Sequence, residues 1–447
     1  MRRLLPITAA AALIAALSAF AAPAMARTGV APAHGFAPRQ LVVKFAGEAV
    51  GRELALPAGS DVRGSAAALR HNPRVEYALP NYVATASAFE VPDDPGTLEV
   101  GAEAAVAGDW SYKQWNFLNW QGAETTRLPT SPGGIDAVDA WRHLDEVGRP
   151  GAEGVTIAVL DTGIAYRDEG TAFLRSPDFA SGQFTRGYDF VDRDRLPLDE
   201  NGHGTHVAGT IAEKTDNGIA LTGLAYRAKL MPVRVLDELG RGDATTIAKG
   251  IRYAVAHHAQ VINMSFNFGC NKKVPVVDEA LREAYARGVI AIASGGNVGS
   301  EGCVAEPATG PRVIGVGGST EGGCLGDYSL AGTGIDLLAP GGGTPVAGCP
   351  SVSARSIYQV TLKPGTTNVF GIPSDYVGTS MAAAHVSGVA AMVLASGVIQ
   401  PGLTPKGRVD VVTRRLRATA RSLGLPRTQQ GAGLIDAGAA TALVPGT

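Results

Sequence analysis

The chain has 447 residues, 45% of them apolar, with 39 basic residues set against 41 acidic ones. That length exceeds one average domain and supplies ample apolar side chain for a core. Charge is nearly balanced, and no long basic run or aromatic-interleaved basic patch occurs, so nucleic acid is excluded as an expected partner.

Residues 1–26 open with Arg2 and Arg3, continue through an apolar stretch from Leu4 to Phe20 and close on Ala24-Met25-Ala26. This pattern predicts a cleaved secretory signal peptide. A membrane anchor is the alternative, but Pro6 and Pro23 interrupt the segment and the small residues at its end suit signal peptidase. No later stretch is long and apolar enough to span a bilayer, so the expected destination is extracellular or periplasmic, with no membrane contact after cleavage. Residues 27–109 are Ala-rich and weakly charged. Within them Leu41 to Phe45 predicts a strand, Ser65 to His71 a short helix and Val75-Glu76-Tyr77 a second strand after Asn72-Pro73, a small α+β module. From Ala84 to Asp109 the text is Pro, Gly, Asp, Glu and Ala without periodicity, which predicts a protease-sensitive linker where maturation occurs; an ordinary surface loop is the alternative.

Residues 110–447 change character. Val155 to Leu160, Lys229 to Leu236, Gln260 to Met264, Gly288 to Ala293 and Val313 to Val316 are short runs rich in β-branched residues, as buried parallel strands are. Helical spacing appears between them, in Ile247, Ile251, Ala254, Val255 and His258 and again from Val276 to Ala286. The alternation predicts an α/β fold, a parallel sheet with helices on both faces. Ligands bind such sheets beyond the carboxyl ends of strands, and Asp161 and Asn297 each follow one.

Three separated words carry the chemistry: Asp161-Thr162-Gly163, Asn201-Gly202-His203-Gly204-Thr205-His206, and Gly378-Thr379-Ser380-Met381-Ala382. A serine hydroxyl is a weak nucleophile until an imidazole takes its proton and a carboxylate fixes the imidazole tautomer. Ser380 opens a segment, Met381 to Ser396, that is apolar on every side, as a helix through the middle of a domain would be. Its start offers free amide hydrogens and the positive end of the helix dipole. Each word alone has a plainer reading: a turn for Asp161, a helix cap for Ser380. Their joint occurrence is what points to catalysis. His203 and His206 stand three apart, but the Glu and the spacing of the HExxH zinc motif are missing. Four cysteines in an exported chain predict two disulfides, for which three pairings exist. Neighbours in sequence are expected to pair, Cys270 with Cys303 and Cys324 with Cys349. Buried free thiols are the alternative, and the spacing is not that of a zinc site.

The order Asp, His, Ser with these words resembles the subtilisin family of serine endopeptidases, over nearly all of Val155 to Gly438 and including Gly431 to Asp436. The resemblance implies a subtilisin-like fold and a triad of Asp161, His203 and Ser380, with His206 in a supporting part. Asn297 would give a side-chain donor to an oxyanion hole shared with the Ser380 backbone amide. Leu239, Gly240, Arg241 and Gly242, with Ser265, Phe266 and Asn267, would bind extended polypeptide substrates by strand addition. Phe266-Asn267-Phe268 departs from the smaller, Gly-containing run of many relatives, and Ala305 and Glu306 leave the first pocket's preference open. Residues 27–109 would be a propeptide, blocking the cleft of a monomeric enzyme until self-cleavage. No catalytic cofactor is implied. Structural calcium is frequent in the family, and Asp178, Asp216 and Asn217 offer hard oxygen ligands, a solvated loop being the alternative. Two rivals make different demands. A non-catalytic scaffold would show a degenerate triad, and an esterase a GxSxG elbow in the order Ser, Asp, His; neither is found.

Overall fold

The computed structural model describes residues 36–82, 89–98, 108–121, 128–298 and 303–443. The signal-peptide reading lies outside them. The chain divides into two compact units between Ala88 and Phe89.

In the first unit strand β1 (Phe36–Phe45) runs antiparallel between β2 (Arg52–Ala55) and β3 (Val75–Tyr82). Leu41 and Val43, two apart on one face, are fully buried against helix α1 (Val62–Arg70). That helix starts earlier than its apolar spacing indicates, because Asp61 caps it by accepting from the Arg63 amide.

The second unit is built on a seven-stranded parallel sheet. With β4 (Thr156–Asp161), β5 (Tyr188–Asp189), β6 (Lys229–Arg234), β7 (Val261–Met264), β8 (Ile290–Ser294), β9 (Val313–Ser319) and β10 (Leu337–Pro340), its order is β10-β9-β8-β7-β4-β6-β5. Every residue of β7, β8 and β9 is buried, which explains their unbroken apolar text. The helices used below are α2 (His203–Ala212), α3 (Ala244–Ala256), α4 (Pro275–Ala286) and α5 (Thr379–Ala395). α5 is buried from Thr379 to Val393 and packs on β7, β8, β9, β10 and α2. A helix hydrophobic all round is the element that can sit there. Strand β10 and the hairpin of β11 (Thr361–Leu362) and β12 (Phe370–Gly371) escape sequence reading, being too short to show a period.

Both expected disulfides form, with Cα separations of 5.8 Å for Cys270–Cys303 and 6.1 Å for Cys324–Cys349. Within the expected linker, residues 84–109, the described part is ordered against other segments. Phe89 to Leu98 packs within the second unit: the Gly96 amide donates to Ala220 O at 2.6 Å, the Ala220 amide to Thr97 O at 3.0 Å, and the Trp110 indole to Pro92 O at 2.7 Å. Asp94 is fully buried, accepting from Thr215 Oγ1 and the amides of Asp216 and Asn217. Aperiodic composition concealed a strap whose backbone pairs with a distant segment.

Candidate active site

Strands β8, β7, β4 and β6 are neighbours and parallel, so their carboxyl ends open on one edge. Asp161 ends β4, Leu239–Gly242 lie beyond β6, Ser265–Asn267 beyond β7 and Asn297 beyond β8. The start of α5 reaches the same edge. Ser265 Oγ donates to Ser380 O at 2.8 Å, and Ser380 Oγ donates to Ser265 O at 2.9 Å.

Asp161 is fully buried, and its Oδ1 accepts from the Thr162 amide at 2.8 Å and from His203 Nδ1 at 2.7 Å. A carboxylate only accepts, so the proton sits on Nδ1 and Nε2 is left as the free base. Burial pulls the His203 imidazole down in pKa, but the charge and hydrogen bond of Asp161, with a further contribution from Asp199, outweigh it and hold the group above its ordinary value. His203 and Ser380 line one cleft of about 340 Å³ with Asn297 and Met381. The Ser380 hydroxyl donates to Ser265 O, and among the described residues no hydrogen bond joins it to His203.

Asn297 is oriented by its neighbours. Its Oδ1 accepts from Thr379 N at 2.9 Å and from Thr379 Oγ1 at 2.7 Å, which leaves Nδ2 free to donate into the cleft. Gly378 has φ +149°, and a Cβ there would stand 2.8 Å from Asn297 Nδ2. Any larger residue at 378 would displace that amide.

Two supporting groups escaped the sequence reading. Asp199 is fully buried and takes five donors: Thr162 Oγ1, the amides of Asn201, Gly202 and Thr205, and Thr205 Oγ1, at 2.6–3.0 Å. It ties the residue after Asp161 to both sides of His203. The signal was an Asp four positions before the His, at a helix start, where acids cap exposed amides. Thr361, in the hairpin, donates its hydroxyl to Gly202 O. His206 faces away from the cleft reaction: it is fully buried, its Nε2 donates to Ile357 O at 3.0 Å, and its ring stacks on Tyr376 with centroids 3.9 Å apart. Burial pushes its pKa down to about 3, so it packs as a neutral ring.

The expected substrate stretches lie at the same edge. Asp237 organises the first, accepting from the amides of Leu239 and Arg241 at 3.0 and 2.8 Å around Gly240, φ +72°, while Leu239 is 63% exposed. Phe266 and Phe268 are half-buried and packed on the core, leaving Asn267 exposed between them. Glu306 is buried, its carboxylate held by Lys273 Nζ at 2.9 Å and the Val274 amide at 3.0 Å.

Of the expected calcium ligands Asp178, Asp216 and Asn217, the first and last are in contact. Asn217 Nδ2 donates to Asp178 Oδ1 at 2.8 Å while its own oxygen accepts from Ile219 N, so flipping the amide would break both bonds. Leu221 N occupies Asp178 Oδ2, and Asp216 Oδ1 turns to the Asp93 amide. Among the described residues no three His, Cys, Asp or Glu side chains are grouped to hold a metal.

The chain is similar to known proteins. Residues 152–433 match the model of the Subtilase family. The chain is 33% identical over 330 residues to the thermophilic serine proteinase of Bacillus sp. (strain AK1), an alignment spanning 74% of this chain and 66% of that protein, just under two thirds. It is 34% identical over 288 residues to subtilisin Savinase of Lederbergia lenta, spanning 64% of this chain and 91% of that one. Among solved structures, a protease of Pseudoalteromonas arctica PAMC 21717 superposes with a TM-score of 0.60 at 28% identity, covering 79% of this chain and 99% of that one. The chain belongs to the subtilase family.

Proposed function

We propose that this chain is the precursor of a secreted, monomeric serine endopeptidase that hydrolyses peptide bonds in proteins through an acyl-enzyme. The observation that carries the reading is the 2.7 Å bond from His203 Nδ1 to buried Asp161, with Ser380 and Asn297 on the same cleft. Ser380 Oγ attacks the peptide carbonyl while His203 Nε2 takes its proton and then delivers it to the departing amine. The oxyanion accepts from Asn297 Nδ2 and from the Ser380 amide, one of the first-turn amides that a helix leaves without an internal acceptor. Water, activated by the same imidazole, releases the acid half and restores Ser380. Leu239–Gly242 and Ser265–Asn267 would flank the bound chain. The amino-terminal unit would assist folding and block the cleft until self-cleavage. Because Phe89–Leu98 supplies buried bonds to the second unit, we place that cleavage upstream of Phe89 rather than near Asp109, and the mature chain keeps the strap.

Expressing Ser380→Ala beside the parent tests this. The parent is expected to shorten to a form beginning at or before Phe89 and to digest casein. The variant should stay full length, since loss of the nucleophile costs on the order of 10⁶ in turnover. Equal processing of both would refute self-maturation, and casein digestion by the variant would refute the mechanism.

A further inference from the structure

We propose that Asp375 makes the leaving-group side of the cleft selective for polypeptides carrying Lys or Arg in the first or second position after the scissile bond. The inference rests on the endopeptidase reading above. The cavity that holds His203 and Ser380 is also lined by Leu362, Pro364, Pro373 and Asp375, and Ser265, Phe266 and Asn267 are not among its lining residues. It is therefore the part of the cleft away from the stretch that would hold the acyl half. The leaving amine must collect its proton from His203, which borders this cavity.

Its wall is built before substrate arrives. Strands β11 and β12 pair through Thr361 with Gly371 and Leu362 with Phe370. Thr361 bonds to Gly202 O beside His203, and the hairpin tip is tied down by Thr367 Oγ1 to Ala172 O at 2.6 Å and Asn368 Nδ2 to Thr171 O at 2.9 Å. Within this fixed wall Asp375 is exposed, and among the described residues its carboxylate has neither a hydrogen bond nor an ion pair. The hairpin's own cation, Lys363, lies along Gly371, where a Cβ would come 3.2 Å from its Cε, and does not line the cavity. An unneutralised carboxylate beside two prolines and a leucine suits one kind of side chain. The apolar stem of a Lys or Arg packs on the prolines while its head meets Asp375. Asp161, buried behind His203, adds potential of the same sign.

The test digests a proteome-derived peptide library and reads the new amino termini by mass spectrometry, so no knowledge of the acyl-side preference is needed. Parent enzyme, Asp375→Asn and Asp375→Lys are compared. Products of the parent should be enriched about fivefold in Lys or Arg at one of their first two positions, the size expected of one exposed ion pair. Asp375→Asn should lose the enrichment, and Asp375→Lys should turn it toward Asp and Glu. Identical profiles from all three overturn the proposal while leaving the endopeptidase intact. No cleavage by the parent overturns both.

Discussion

Helix α2 carries a buried carboxylate at each end and treats the two in opposite ways. Asp199 lies just before its amino terminus, where first-turn amides need acceptors, and receives five hydrogen bonds. Glu213 caps the carboxyl terminus, where the backbone offers carbonyls and the negative end of the dipole. It accepts from the Val360 amide at 3.0 Å on one oxygen, and the other has no partner among the described residues. Burial pushes Glu213 well above the ordinary carboxyl range, and the nearby Asp178 and Asp94 add to that rise. Asp199 is also raised by burial, against the pull of its donors. The same residue class therefore organises the proposed base at one terminus and is an electrostatic liability at the other, and the difference lies in which backbone groups the helix leaves open.

Breaking the amino-terminal side should have the largest effects. Asp161→Asn can present an amide hydrogen to His203 Nδ1 and so favour the wrong tautomer. Proteolytic turnover is expected to fall about 10⁴-fold with the fold intact, measured on a peptide substrate alongside circular dichroism. Asp199→Asn comes next. Its NH₂ must face a backbone amide, that of Thr205 or those of Asn201 and Gly202, and this unmatched donor should cost about 1–3 kcal/mol in denaturant unfolding of the Ser380→Ala background. Unchanged stability would mean the five bonds contribute no net organisation.

The pH profile sharpens the comparison further. His203 must be neutral to act, and its pKa lies above the ordinary value of about 6.5, so kcat/KM should rise with pH through a midpoint above 6.5. Because the charge of Asp199 contributes to that elevation, Asp199→Asn should move the midpoint to lower pH. A midpoint at or below 6.5 in the parent would contradict the balance assigned to Asp161 and burial. The smallest effect belongs to the other terminus. A carboxyl whose folded pKa is raised stabilises the protein most below its unfolded pKa, about 4.3, and that contribution is lost as pH climbs through the folded value. Glu213→Gln cannot ionise and can keep the Val360 bond, so its melting temperature should gain on the parent as pH rises toward 8. A steady loss instead would show that ionised Glu213 is stabilised by something beyond these neighbours.

The residue types themselves point to the proposed chemistry. Asp161, His203, Ser380 and Asn297 were legible because acid, imidazole, alcohol and amide are the types that acyl transfer requires, and each sits where a strand ends or a helix begins. The parallel sheet was legible for a related reason: strands buried on both faces must be continuously apolar. Folding alone decided the rest. The strap from Phe89 to Leu98, the Thr162 bond to Asp199, the Thr379 grip on Asn297 and the Thr361 bond beside His203 join residues from dozens to more than a hundred positions apart. Local composition reports what a residue can do, whereas hydrogen-bond partners and burial depend on which distant segments the chain brings against it.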